Sequence, residues 1–325
     1  MAHAIDTLGS WQAEDTTVGL VLDALETLRR EVPAGTATRT AVLTLVTVAP
    51  DVAGCERAAQ ALHEIGARHP ARTIGIVATP DPRPLGATIS LHGHEESGRV
   101  FWSEDIDLHV GGAVVEHLNS LIEPFTLPDL PVVVWFVDDV PVVSDPLLDA
   151  ADAVIVDARD LADASKFAAI REMATRRPVV DLSWVRLRPW RELLAALFEG
   201  DHRPLLDAVE TVEVRGKEGP RRILAGWLAD RLALPTSSFH VVPANHAYMR
   251  LTATLDGRRA SFSVIRRGDE RTLLATADVD PDPPRHSLGQ LPPTGPAWGL
   301  QEALTSLHGD PLYLRALDAA TDLGL

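Results

Sequence analysis

Carboxylates are the first residues in this chain whose spacing could do chemistry. They fall in pairs at Asp138/Asp139, Asp149/Asp152 and Asp157/Asp160. Two acids divide proton donation and abstraction only when their surroundings separate their pKa values, which linear spacing does not establish. The plainer reading is solvated loop acids and helix caps. From Asp129 through Asp163 nine aspartates face a single basic residue, Arg159. From Lys166 through Arg191 the balance reverses, with seven basic residues against Glu172 and Asp181. Such a reversal either steers a charged partner or is absorbed in internal ion pairs.

The basic stretch ends in SWVRLRPWRELLAALF, Ser183–Phe198. If extended, it points Trp184, Arg186 and Arg188 one way and Val185 and Leu187 the other. Pro189 suits the first turn of a following helix, where a missing N–H is harmless. Trp190, Leu193, Leu194, Leu197 and Phe198 would form that helix's apolar face. Arg186, Arg188 and Arg191 could together take a carboxylate or phosphate, because guanidinium groups bind both through paired donors. An anion site, a partner contact and an internal Arg–Asp network all remain open. Trp184, Arg186, Arg188, Trp190 and Arg191 are the candidate partner-binding or anion-binding residues. No catalytic, cofactor-binding or metal-binding residue is assigned.

Other motifs are weaker. There is no GxxxxGK[ST] and no GxGxxG after a strand-like run, so no nucleotide cradle is expected. His92 and His94, followed by Glu95 and Glu96, imitate a zinc set but read more simply as a solvated edge. Cys55, the single cysteine, has neither a CxxC partner nor an adjacent base and reads as a small helical core residue. Ser237 and Ser238 have no placeable acid or oxyanion partners. Leu291–Gly295, LPPTG, matches a sortase signal by coincidence.

The elements that must position these residues follow from hydrophobic periodicity. Helical spacing covers Thr16–Glu31, capped by Asp15 or Thr16, and then Ala53–Arg68 and Val110–Ile122. Branched apolar runs predict strands at Arg39–Val48, Ala71–Thr79, Val132–Val137, Ala153–Val156 and Val179–Leu182. Ala87–Gly93 and Arg99–Ser103 look like an antiparallel addition at a sheet edge. Strand runs alternating with helical patterns imply a mostly parallel α/β domain, whose ligands gather beyond the carboxyl ends of its strands. After residue 203 the pattern changes. Val209–Val214 reads as a strand and Arg221–Leu234 as a helix. Met249–Leu255, Ala260–Ile265 and Arg271–Ala277 form a meander turned at Asp256-Gly257 and Arg267–Asp269. Proline-rich Asp280–Pro296 is expected to be irregular, with helices over Gln301–Leu307 and Pro311–Ala320. The expected organisation is an α/β domain over 1–203 and a smaller α+β domain over 204–325.

Composition narrows the function classes. A formal charge of −16 over 325 residues, without a concentrated basic surface, argues against nucleic acid. No run reaches the roughly 18 apolar residues of a membrane helix, and the first residues lack a secretory pattern. With one cysteine, neither an intrachain disulfide nor a thiolate-cluster metal site is available. An acidic cytoplasmic protein is expected.

On two segments the chain resembles the OpcA family of glucose-6-phosphate dehydrogenase assembly proteins. One is LPDLPVVVWFVDDVP at Leu127–Pro141, followed by Asp145–Leu147. The other is Asp181–Phe198, with Asp181, Leu182, Trp184, Arg186, Leu187, Pro189, Trp190 and Arg191 on the family pattern. Similarity extends to Arg221–Leu234 and to DPLYLRAL at Asp310–Leu317, and Phe136 stands where members often carry tryptophan. The resemblance implies a non-catalytic partner that assembles or activates glucose-6-phosphate dehydrogenase. Such a partner would serve the oxidative pentose phosphate pathway and NADPH production, with NADP held by the dehydrogenase and no cofactor of its own. A cysteine-pair redox switch is unavailable within a chain that has only Cys55. A domain that binds a sugar phosphate through its arginines is the competing function.

Overall fold

The computed structural model describes residues 6–32, 37–39, 41–65, 70–96, 99–268, 271–293 and 295–325. The chain forms two compact units that interleave along the sequence. The first holds Met1–Val156, Arg177–Val179 and Leu304–Leu307, and the second holds Asp157–Arg176, Val180–Ala303 and His308–Leu325.

The first unit begins with β1 (Asp6–Thr16), α1 (Val18–Glu31), β2 (Ala37–Arg39), β3 (Leu43–Ala49) and α2 (Val52–Ile65). It continues with β4 (Ala71–Thr79), β5 (Leu85–Glu96), β6 (Arg99–Gly111), α3 (Leu118–Ile122), β7 (Val132–Phe136), α4 (Leu147–Ala150) and β8 (Ala153–Val156). Its sheet runs β1-β5-β6-β4-β3-β7-β8 and ends on β9 (Val179–Asp181), with β2 alongside β6. β6, β4, β3, β7 and β8 pair in parallel, while β5 and β1 are antiparallel additions. All four residues of β8 are buried, as are Val133–Phe136 of β7, the pattern of strands covered on both faces.

Three features differ from the sequence reading. β1, in the polar run DTLGSWQAEDT, occupies the edge that had been expected for the β5–β6 pair. Val110 and Gly111 finish β6, and the helix expected from Val110 is a 3-10 turn over Gly112–His117 followed by short α3. Thr17, rather than Asp15 or Thr16, caps α1, its hydroxyl accepting from Leu20 N at 3.4 Å. Glu104 of β6, buried, accepts from Arg29 Nε of α1 and Arg72 Nε of β4, each at 2.6 Å, and Arg72 Nη1 donates to Phe125 O at 2.7 Å.

The second unit contains α5 (Ala164–Ala174), α6 (Leu182–Arg186), α7 (Arg188–Ala196), α8 (Arg203–Leu206), β10 (Val209–Gly216) and α9 (Glu218–Leu232). Then come β11 (Phe239–Pro243), β12 (Tyr248–Leu255), β13 (Arg258–Arg266), β14 (Thr272–Val279), β15 (Arg285–Gln290), α10 (Pro296–Thr305) and α11 (Pro311–Asp322). The sheet order is β11-β10-β12-β13-β14-β15, antiparallel except for the β10–β11 pair. The expected meander is present, and the β12–β13 turn has Asp256 and Gly257 at φ 52° and 78°, both left-handed as a two-residue hairpin requires. β15 lies inside the segment expected to be irregular. Four of its first five residues are outward and polar or exposed, so burial gave no alternating signal, yet its backbone completes the edge of β14. Phe198, just beyond α7, packs on Phe262 of β13 with ring centroids 4.1 Å apart. α9 and α11 approach closely because Gly226 has no side chain; a Cβ there would come within 1.9 Å of Ala316 O.

Asp269 of the second expected turn, Thr294 of the LPPTG run and residues 66–68 of the second expected helix lie outside the described residues. So do the side chains of His94, Glu95 and Glu96. Among the described residues, no helix is long and apolar enough to cross a membrane.

Candidate functional site

The segment expected to be extended is helical, and this changes where its arginines go. Asp181 accepts from Ser183 N at 2.8 Å and so starts α6, and Pro189 sits in the first turn of α7. Arg186 and Arg188 therefore do not project side by side. Arg186 turns to Asp157, and Arg188 donates from Nη1 to Glu302 at 3.0 Å. Arg191 lies over the Trp184 ring, 3.4 Å from its centroid, and donates from Nη1 to Trp184 O at 2.9 Å. A joint clamp of Arg186, Arg188 and Arg191 is not formed.

At the centre is Asp181, buried with 1% of its surface exposed. One carboxylate oxygen accepts from Ala158 N at 3.0 Å as well as from Ser183 N, and the other accepts from Tyr313 Oη at 2.7 Å. Burial pushes the Asp181 carboxyl up to about 6, helped by the neighbouring Asp157 charge and opposed by the three hydrogen bonds. Burial and the Asp181 charge together raise the Tyr313 phenol well above its ordinary value. Asp157 accepts from Ser183 Oγ at 2.9 Å and from Arg159 N at 3.0 Å besides its pairing with Arg186.

Trp184 extends the network to the start of α11. Its indole Nε1 donates to Asp310 Oδ2 at 2.6 Å, while Asp310 Oδ1 accepts from Leu312 N at 2.8 Å as the helix cap. The Trp184 and Tyr313 rings lie 5.5 Å apart between centroids. Burial lowers the Arg191 guanidinium to about 10 against the opposing pull of Asp310. The DLSWVRLRPWR segment and the DPLYLRAL segment, far apart in sequence, are thus fastened to each other by two carboxylates, a tyrosine and a tryptophan. Sequence spacing gave no signal for that pairing.

Of the five candidate residues, Trp184 and Trp190 are buried and Arg186 is nearly so, while the Arg188 side chain is 48% exposed. Trp190, Leu187 and Arg186 line a cavity of about 590 Å³. Its opposite wall comes from the end of β10 and the start of α9, with Arg215, Lys217 and Arg221. Arg221 is a site residue that the sequence reading passed over as part of a helix.

The remaining motifs resolve into structural contacts. Asp138 pairs with Arg57, Asp152 accepts from Val132 N at 2.7 Å, and Asp160 pairs with Lys217 at 2.8 Å. His92 pairs with Asp105 at 3.2 Å, and no group of three metal-ligating side chains occurs among the described residues. Burial, with Asp107 nearby, pushes the Cys55 thiol up to about 11, the opposite of an activated thiolate.

Comparison with known proteins places both halves of the chain. The family model described as glucose-6-phosphate dehydrogenase subunit N-terminal domain matches residues 62–175. The model described as the C-terminal domain of that subunit matches residues 177–317, which include Asp181, Trp184, Arg186, Asp310 and Tyr313. Proteins named OxPP cycle protein OpcA match at 26% identity, over 54% of this chain in Synechococcus elongatus and 68% in Synechocystis. The matched regions are 42% and 48% of those proteins, so the chain spans less than half the length of these curated relatives. Two solved structures cover 88% of the chain, the transcriptional regulator Gal80p from Kluyveromyces lactis and an oxidoreductase from Sinorhizobium meliloti. Their identities are 8% and 12% and their TM-scores 0.41 and 0.42, too loose a superposition to bear on function.

Proposed function

The chain belongs to the OpcA family of glucose-6-phosphate dehydrogenase subunits, and on that premise we propose that it is a non-catalytic partner of that dehydrogenase. In this role it promotes assembly of the enzyme, activates it, or does both, and so supports the oxidative pentose phosphate pathway and NADPH production in the cytoplasm. The observation that carries the proposal is the match of both family domains in succession, over 62–175 and 177–317. The geometry supports a partner rather than an enzyme. Asp157, Asp181, Tyr313 and Asp310 are satisfied by fixed internal donors and acceptors, whereas an acid–base pair needs a group within reach of a substrate proton.

Within the tryptophan–arginine segment, Arg188 is the candidate for direct contact, because it is exposed whereas Arg186 and Arg191 are half-buried and Trp184 and Trp190 buried. Trp184, Trp190 and Arg191 act as the support that fixes its helix. The proposal is tested by mixing the full chain with purified cognate dehydrogenase and recording the mass of the complex and the steady-state rate together. A stable complex or a changed rate supports it, and unchanged mass with unchanged kinetics rejects it.

A further inference from the structure

We propose that the cavity between α7 and the start of α9 binds a phosphate ester of a small metabolite. The inference stands on this cavity alone and is independent of association with the dehydrogenase. Its volume, about 590 Å³, is in the range of small-molecule sites. Arg159, Arg186, Arg215, Lys217 and Arg221 face it, and no carboxylate lines it among the described residues. That concentration of cations is unusual in a chain with a formal charge of −16.

The carboxylates that neutralise these cations stand behind them. Asp157 holds Arg186, Glu218 holds Arg221, Glu213 holds Arg215 and Asp160 holds Lys217. They aim the basic groups without using up all their donors. The Arg221 side chain is only 5% exposed; its Nη2 donates to Glu218, while Nε and Nη1 have no protein partner. Arg186 is 13% exposed, with Nη2 on Asp157, while its Nη1 is enclosed near Gly299 rather than turned to the cavity. Unsatisfied buried guanidinium donors are costly, and Arg221, which lines the cavity, holds two that a phosphate oxygen would satisfy. The start of helix α9 lines the same cavity through Lys217, Pro220 and Arg221. Leu187, Trp190, Leu224 and Leu291 form a less polar wall against which the body of an ester can lie. Inorganic phosphate would use the basic wall only.

Isothermal titration of the full chain at low salt tests this, with glucose 6-phosphate, inorganic phosphate and glucose as probes. Saturable binding is expected for glucose 6-phosphate, weaker binding for inorganic phosphate and none for glucose. Arg221→Gln should weaken the ester about 10- to 100-fold, the loss of a charge-assisted contact. Because Arg221 is buried, Lys217→Glu is the companion variant. Its side chain is 65% exposed, so the melting temperature should hold while affinity falls about tenfold. Absence of saturable heat with the ester up to about 10 mM, or undiminished affinity in natively melting Lys217→Glu, would overturn the site. Equal affinity for phosphate and the ester would overturn the assignment of an ester.

Discussion

Replacing Asp181 by asparagine should flatten the acid side of the protein's stability profile. In the folded chain burial raises this carboxyl from its ordinary 3.8 to about 6. A raised carboxylate pKa means that the folded state binds the proton more tightly than the unfolded state. Stability linked to Asp181 is therefore fully present below about pH 4, is lost as the pH rises through about 6, and changes little above that. At about 1.4 kcal/mol per pH unit, the loss over that window is about 3 kcal/mol. Asparagine keeps the oxygen that accepts from Ala158 N and Ser183 N, and its amide can donate to the Tyr313 hydroxyl, which then acts as acceptor. The variant thus retains the geometry and loses the titration. Urea unfolding at pH 4, 5, 6 and 7 gives the comparison as the difference between wild type and variant at each pH. This difference cancels other shifted groups such as Asp107, which burial also raises to about 6. The variant is expected to gain on wild type across the window by up to about 3 kcal/mol. Parallel curves from pH 4 to 7 would refute the account of a buried, titrating Asp181.

Three further substitutions probe separate parts of the molecule. Gly226→Ala should destabilise the second unit by about 1–3 kcal/mol, read by denaturant midpoint, because its new Cβ meets the Ala316 backbone oxygen rather than a movable side chain. Glu104→Gln should cost the first unit about 3–5 kcal/mol by the same measurement, since it uncouples a carboxylate that is 1% exposed from Arg29 and Arg72. Arg188→Ala should leave the chain's own stability within about 0.5 kcal/mol, because its pair with Glu302 is half exposed, while slowing association with the dehydrogenase in stopped-flow mixing.

The strands of the first sheet were legible because β3, β4, β7 and β8 are continuous branched apolar runs, a pattern that burial on both faces enforces. β1 and β15 were not, since their pairing depends on backbone groups along a neighbouring edge and their side chains are largely polar. At the site, the chemical types were readable but their partners were not. Val185, Leu187 and the alternating arginines suit a strand locally, and the Asp181 cap and the packing of Trp184 against α11 select helix instead. Arg186 and Asp157 are close enough in sequence for an Arg–Asp network to be among the readings. Tyr313 and Arg221 reach the same region from distant segments, which spacing within one stretch does not reveal.

The central claim, partnership with glucose-6-phosphate dehydrogenase, is tested most directly by a titration of the full chain into the purified cognate enzyme. Light scattering and NADPH production are followed on the same samples. The account predicts a rise in oligomer mass or in steady-state rate that saturates at a fixed ratio of the two proteins. A dehydrogenase whose mass and kinetics both stay unchanged through a large excess of this chain would contradict it.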